Sequence, residues 1–158
     1  MKLLEPAEYQ VAAENVFLQV RDEILHVLPE ARVEHIGASS IQGSVSKGDV
    51  DICVIVDSLA HELAVSALQR LGYSVKADTL RTAELCMLES ERQDVDLALQ
   101  VVAGGSRFEF FMTFRDALRS DPSLAAAYNE VKLKHQDMSA ADYRAAKTRF
   151  IEAVLRNA

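Results

Sequence analysis

The sequence is short of several residue types, and each shortage excludes a class of protein. Its 158 residues include no tryptophan, three prolines and two cysteines. Cys53 and Cys86 lie within apolar, strand-like runs, which indicates small core residues in a reducing compartment rather than a disulfide framework. No apolar run approaches the roughly 20 residues of a membrane span, and Glu5 and Pro6 come too early for a signal peptide. We therefore expect a cytoplasmic protein without a membrane partner.

Basic residues are also scarce. The chain has 17 Lys and Arg against 24 Asp and Glu, which gives a formal net charge of −7. A general affinity for the nucleic-acid backbone needs many basic contacts, so we do not expect one. A local basic pocket for one triphosphate, or a carboxylate cluster for a divalent cation, remains compatible with this charge. The length is typical of a single domain over residues 1–158.

Hydrophobic periodicity predicts an α/β (α+β) fold. It favours a mixed β-sheet with helices packed on one face, a core over about residues 8–103, and a helical C-terminal third over about residues 107–156. The predicted helices are 7–28, 60–71, 108–119, 123–135 and 140–156, and the predicted strands are 32–36, 50–56, 73–77, 83–89 and 94–102.

Two predicted strands open with paired aspartates. Asp49 and Asp51 point to one face because side chains alternate along a strand, and they lie roughly 6–7 Å apart along it. Asp94 and Asp96 repeat the pattern. Two carboxylates with a third from a neighbouring strand suit Mg²⁺ or Mn²⁺, and we favour Asp96 over Asp94 as that third group. The plainer alternative is that such pairs only face solvent.

A Gly-Ser loop precedes the first acidic strand. Gly37 lets backbone N–H groups approach a phosphate, and Ser39 and Ser40 add hydroxyl donors. Lys47 stands just before the strand and is a further candidate for contact with a triphosphate. Glycine and serine occur in any turn, so the loop alone is weak evidence. The order of Gly-Ser loop, Asp-x-Asp strand and later Asp strand is more specific.

These stretches resemble the nucleotidyltransferase superfamily of DNA polymerase beta, and within it the GrpB family. The resemblance covers about residues 33–155. It is carried by Val33-Glu34-His35-Ile36-Gly37-Ala38-Ser39-Ser40-Ile41-Gln42-Gly43, by Lys47-Gly48-Asp49-Val50-Asp51-Ile52, by 114–122, by 127–132, and by Tyr143, Lys147 and Phe150. The resemblance implies a nucleotidyltransferase-like fold, and it adds Lys132 and Lys147 of the C-terminal helices to the candidate nucleotide-binding residues.

The sequence departs from both patterns. The superfamily loop usually reads Gly-Ser or Gly-Gly, whereas Ala38 holds the second position here. GrpB members usually keep only the aspartate that matches Asp51 and have a His-x-His pair in the later strand. Here Asp49 is also acidic, and Ala98 and Gln100 replace the two histidines. The chain therefore resembles the general nucleotidyltransferase pattern more than that of a typical GrpB member.

The leading hypothesis is a Mg²⁺-dependent (or Mn²⁺-dependent) transfer of a nucleotide from a nucleoside triphosphate to an unidentified hydroxyl acceptor. Asp49 and Asp51 bind the metal, Asp96 completes the site and acts as base, and residues 37–40 cradle the triphosphate. One alternative is a non-catalytic domain that binds a nucleotide or a CoA-like ligand in the same cleft. Another is an interaction module that works through the C-terminal helices.

Overall fold

The computed structural model describes all 158 residues and begins with a long amphipathic helix, α1 (Pro6–Val27). A capping box starts the helix: the Glu5 backbone N–H donates to Glu8 Oε2 at 2.6 Å. Pro6 occupies the first turn, where its missing N–H costs nothing. One face of α1 is buried through Tyr9, Ala13, Phe17, Val20 and Ile24. The helix is predicted from the spacing of apolar residues between Val11 and Leu28, although Val11 itself is exposed.

Five strands form one mixed sheet. The elements after α1 are β1 (Arg32–Ile36), β2 (Val50–Val56), α2 (His61–Arg70), β3 (Ser74–Val75), β4 (Leu85–Glu89) and β5 (Leu97–Ala103). The strand order is β1-β2-β5-β4-β3. Only β2 and β5 run parallel; the other pairs are antiparallel. These two central strands are nearly continuous in apolar residues, as expected for strands buried on both faces.

The two faces of the sheet carry different helices. On one face, α1 and α2 pack on a cluster that includes Val50, Ile52, Leu97 and Leu99. On the opposite face, Cys53, Ile55 and Val102 pack against Phe108 and Met112. Met112 belongs to α3 (Phe110–Ser120). The mixed α/β sheet is thus confirmed, but helical residues cover part of the second face as well as the first.

The C-terminal third forms a helical layer of its own. After α3 come α4 (Pro122–His135) and α5 (Ala140–Arg156). Asp121 caps α4 by accepting from Ser123 N and Leu124 N, and Ser139 caps α5 by accepting from Asp142 N. A third apolar cluster joins the three helices to Ile41 in the loop after β1. This layer therefore holds the loop that leads into β2.

Most predicted elements match the structure within a few residues, and two differ usefully. The strand predicted over residues 73–77 is only two residues long, Ser74–Val75. The strand predicted from Asp94 begins at Leu97, so both Asp94 and Asp96 precede it. The residues before Leu97 belong to a loop, whose backbone conformation differs from that of a strand. The alternation of apolar residues does not show where this loop ends and β5 begins. No helix is long and apolar enough to cross a membrane.

Candidate active site

The sheet register brings three aspartates to the end of the sheet at which β2 and β5 begin. Val50 pairs with Leu97 and Asp51 with Ala98, and the Val50 N–H donates to the Asp96 carbonyl at 2.8 Å. Asp49 and Asp96 therefore lie side by side, each directly before one of the two parallel strands. Alternation puts Asp51 on the face of Cys53 and Ile55, opposite the α1 layer. The structure brings Asp49, Asp51 and Asp96 to the end of the central strand pair at which β2 and β5 begin. We call this end of the sheet the acidic edge.

Asp94 is engaged elsewhere. Arg92 donates to its two carboxylate oxygens at 2.9 and 2.7 Å. The side chain of Asp94 is 64% exposed, and the arginine lowers the pKa of the carboxyl below its usual value. A bidentate Arg–carboxylate pair closes the turn before β5. Of the two sequence candidates, Asp96 is the one whose backbone lies beside β2.

Gly37 lies directly against Asp51. Its φ of 73° and ψ of −175° fall in a region that is essentially restricted to glycine. A Cβ at this position would come within 2.8 Å of Asp51 Oδ2. The next residues form a 3₁₀ turn, Ala38–Ser40, in which Ser40 N and Ile41 N donate to the Gly37 and Ala38 carbonyls. The Gly-Ser loop and the acidic strand are thus in contact.

Asp51 sits in an unfavourable electrostatic environment. Burial, followed by the negative charge of Asp49, raises the pKa of Asp51 to about 7, and Asp96 adds to the effect. Lys147 and Lys47 oppose it. The negative charges of the three aspartates are only partly neutralised by the two lysines, and this favours the binding of a cation. The donor chemistry of three carboxylates also suits a hard divalent ion.

The carboxylates do not form a closed metal cage in this conformation. No group of three or more His, Cys, Asp or Glu side chains converges closely enough to hold a metal ion. The residue types and charges fit Mg²⁺ or Mn²⁺, whereas the side chains would have to draw together around it. Asp96, which is exposed and lies before β5, has the freedom to do so.

The C-terminal helices bring a lysine to the acidic edge. Lys147 on α5 is partly buried, with its ammonium 5.1 Å from the Tyr143 ring centroid. Burial lowers the pKa of Lys147, while the charges of Asp49 and Asp51 raise it. Lys47, exposed at the entrance to β2, repels the same ammonium. Two of the predicted phosphate-binding cations therefore lie near each other and near the aspartates.

Lys132 occupies a different environment. It is only 2% exposed, and its ammonium donates to Ser44 Oγ at 2.8 Å and to the Val45 carbonyl. It also lies 4.4 Å from the Tyr128 ring centroid. Burial lowers the pKa of Lys132 to about 7. To contact a phosphate it would have to leave these partners, so its present contribution is to hold the loop before β2.

Several residues that sequence reasoning missed hold the same loop. Tyr9 donates from its hydroxyl to the Ser44 carbonyl at 2.7 Å, and Asn129 accepts from Val45 N at 3.0 Å. Ser46 Oγ accepts from Gly48 N at 3.0 Å and donates to Asp49 Oδ1 at 3.3 Å. These contacts join positions up to 84 residues apart. Only Ser46, three residues before Asp49, carries a local signal that could have indicated its role.

A cavity opens beside the acidic edge. It has a volume of about 420 Å³ and lies between the first turns of α1 and the entrances to β2 and β5. Its polar wall includes Asp49, Asp96 and Lys47, and its apolar wall includes Tyr9 and Val16. The site therefore has room for a small molecule next to two of the three aspartates.

The raised pKa of Asp51 makes the stability of the metal-free protein depend on pH. Protonated Asp51 fits the buried site better than the anion, so the stabilisation is complete below the unfolded-state pKa of about 4. It is lost as the pH rises through about 7. Between about pH 5 and pH 8, we expect the free energy of unfolding to fall by about 2 kcal/mol relative to Asp51→Asn. Urea unfolding in EDTA measures this; an equal difference at both pH values contradicts it.

The fold defines a nucleotidyltransferase-like domain. GrpB from Enterococcus faecalis superposes with a TM-score of 0.70 and 22% identity over 96% of this chain and 98% of that one. The Cid1 poly(U) polymerase with MgGTP bound superposes with a TM-score of 0.54 and 16% identity over 80% of this chain and 42% of that one. At these identities the likeness concerns the fold.

Sequence comparison identifies the family. A model described as GrpB protein matches residues 5–157, and the chain belongs to the GrpB family. A UPF0157 protein of Vibrio cholerae is 49% identical over 158 residues, which is 100% of this chain and 84% of that protein. Another, of Deinococcus radiodurans, is 31% identical over 160 residues, which is 100% of this chain and 82% of that protein. The predicted resemblance to GrpB is thereby confirmed, and the resemblance to nucleotidyltransferases is confirmed for the fold.

Proposed function

We propose that this protein is a metal-dependent nucleotidyltransferase that moves a nucleoside monophosphate from a nucleoside triphosphate to a hydroxyl acceptor. One observation carries the proposal: Asp49 and Asp96 lie near enough to Asp51, beside the glycine loop, for their charges to act on it. Lys147 and Lys47 stand at the acidic edge. Carboxylates for a metal and cations for phosphate are the two sets of groups that such a transfer needs.

The residues divide the work as follows. Asp49, Asp51 and Asp96 would hold Mg²⁺ or Mn²⁺, which supplies positive charge to the phosphate oxygens. Lys147, Lys47 and the turn from Gly37 to Ser40 bind and orient the triphosphate. The acceptor oxygen attacks the α-phosphorus, and its proton passes to the Asp96 carboxylate. The bond from the α-phosphorus to the bridging oxygen breaks, and pyrophosphate leaves.

The cavity beside Asp49 and Asp96 provides the space for the acceptor. Its volume of about 420 Å³ and its mixed lining suit a small molecule with an apolar part and a hydroxyl. The opening adjoins two aspartates, so an acceptor bound there reaches the carboxylates from the α1 side. This placement leaves the glycine loop and Lys147 for the triphosphate.

The second candidate function is non-catalytic binding of a nucleotide or CoA-like ligand. It is favoured by the absence of a converged group of three metal-ligating side chains and by Ala38 at the loop's second position. The phosphate contacts would then come from the lysines and the turn, without a reaction. Binding that does not depend on a divalent cation is the property that distinguishes this function.

Label transfer tests the proposal. Each of ATP, GTP, CTP and UTP, labelled at the α-phosphate, is incubated with the protein, Mg²⁺ or Mn²⁺, and fractions of small metabolites and of RNA. We expect the label to move to an acceptor with stoichiometric release of pyrophosphate, and EDTA to prevent it. Tight ATP binding by calorimetry without label transfer in any fraction would favour the binding domain instead.

A further inference from the structure

A relay of three side chains connects α1 to the glycine loop. His35 is 3% exposed. Its Nε2 lies 2.8 Å from Ser39 Oγ, and its Nδ1 lies 3.0 Å from Glu14 Oε2. The imidazole stacks on Phe17, with ring centroids 4.8 Å apart and planes at 13°. Both ring nitrogens are therefore in use, and the ring is held in one orientation.

The carboxylate fixes the tautomer of His35. An ionised Glu14 can only accept hydrogen bonds, so Nδ1 carries the hydrogen and donates it to Glu14. In the neutral imidazole, Nε2 then has a lone pair and must accept. The Ser39 hydroxyl accordingly donates its one hydrogen to His35. It offers only lone pairs to anything bound over the loop, and lone pairs do not attract phosphate oxygens.

A proton on His35 reverses the second hydrogen bond. Both nitrogens of the imidazolium donate, so Nε2–H donates to Ser39 Oγ. The Ser39 hydrogen is then released and can be donated to a phosphate oxygen. The groups that set the charge of His35 are Glu14 from α1 and Arg115 and Arg119 from α3. Arg115 also donates to the His35 carbonyl at 3.0 Å.

We propose that Glu14 and His35 are positioning residues that set the direction of the Ser39 hydroxyl, so that triphosphate binding at the glycine loop takes up one proton at His35. The inference rests on the proposed function insofar as it takes a triphosphate as the ligand of the loop. Burial lowers the pKa of free His35, whereas Glu14 opposes that effect. A bound anion raises the pKa of His35. The affinity for the triphosphate is therefore highest at low pH and falls as the pH rises through the pKa of His35 in the bound state.

Calorimetry with ATP and Mg²⁺ tests the relay. We expect Ser39→Ala to weaken ATP binding about tenfold at pH 5.5 and less than about twofold at pH 8.5, since the lost hydrogen bond exists only with protonated His35. Ser40→Ala is the matched control, because Ser40 Oγ donates to the Gly37 carbonyl and has no histidine partner. Its effect should be equal at both pH values. ATP and Asp51 also titrate in this pH range. Their contributions are the same in both variants and cancel when Ser39→Ala is compared with Ser40→Ala.

Two further readouts separate the possible failures. Glu14→Gln lets the carboxamide donate to Nδ1, and it should raise ATP affinity at pH 8.5; Glu14 is half-exposed, so the fold tolerates the change. Nitrogen-15 shifts of the His35 ring, assigned with His35→Gln, should show hydrogen on Nδ1 at pH 8.5. Hydrogen on Nε2 at that pH, or an equal Ser39→Ala effect at both pH values, overturns the relay. No ATP binding at any pH overturns the proposed function, and the nitrogen shifts still decide the tautomer.

Discussion

Asp51→Asn should abolish Mg²⁺- or Mn²⁺-dependent ATP binding and lower nucleotidyl transfer by about a thousandfold or more. The asparagine keeps the size of the side chain but removes the charge that attracts the cation. Loss of several kcal/mol of charge stabilisation at the transferred phosphate corresponds to a factor of this order. Asp51 is the central group of the site, because it touches the glycine loop and responds to both Asp49 and Asp96.

The measurements for this variant are calorimetry of ATP with and without the divalent ion, and transfer of α-labelled nucleotide. Asp94→Asn is the matched control. Asp94 belongs to the same acidic segment but pairs with Arg92, so metal-dependent binding should persist. Unchanged metal-dependent ATP binding in Asp51→Asn would contradict the metal site. Loss of activity in Asp94→Asn would instead show that Asp94, rather than Asp96, supplies the third carboxylate.

Asp51→Asn should increase the stability of the metal-free protein although it decreases nucleotide binding and transfer. Asp51→Asn removes a partly buried charge that Asp49 repels, so the metal-free variant should be more stable than the wild type at pH 8. A gain of about 2 kcal/mol corresponds to an increase in Tm of about 5 °C for a chain of this size. Mg²⁺ should raise the Tm of the wild type and not that of the variant. A variant that is both more stable and inactive cannot owe its inactivity to unfolding.

Gly37→Ala should destabilise the protein by about 3 kcal/mol and impair nucleotide binding. The backbone of Gly37 occupies a glycine-only region, which costs another residue about 1–3 kcal/mol. The added methyl also meets Asp51 Oδ2 at 2.8 Å, so either the loop or the aspartate must shift. Urea unfolding gives the stability, and ATP calorimetry gives the effect on the site.

Gly105→Ala separates the two causes. Gly105 has a φ of 80°, close to the 73° of Gly37, but no atom lies within 4 Å of a Cβ built on it. It should therefore show a backbone effect of about 1 kcal/mol without a contact effect, and it should leave ATP binding unchanged. If the two variants lose equal stability, the contact between Gly37 and Asp51 contributes nothing measurable.

Local periodicity was enough to predict most of the fold. The run of Val50 to Val56 is apolar at nearly every position, which indicates a strand buried on both faces, and this strand lies at the centre of the sheet. The three- and four-residue spacing of apolar residues from Val11 to Leu28 predicts α1. Such patterns are read within one element and do not require knowledge of its partners. The covered second face was not predicted, because no local pattern says which helix packs where.

The candidate site was predictable in part. Alternation predicts a common face for Asp49 and Asp51; Asp51 lies within β2, whereas Asp49 directly precedes it. The choice between Asp94 and Asp96 depended on the start of β5 and on Arg92. The burial of Lys132 depended on a loop 88 residues away. A lysine exposed on a helix and a buried lysine that holds a loop lie in the same kind of sequence pattern, so the sequence does not distinguish them.

The order of the elements, the acidic residues at the start of β2 and the glycine loop before them all follow from the sequence alone. These features depend on residue type and on spacings of two to four positions, where backbone geometry fixes the outcome. Three contacts become visible in the folded chain alone: Gly37 lies against Asp51, Lys147 lies near the aspartates, and Glu14 and Ser39 contact the two ring nitrogens of His35. Those contacts require the antiparallel register of β1 and β2 and the packing of α1 and α5. Register and packing come from cooperative burial of the whole core, which no short segment encodes.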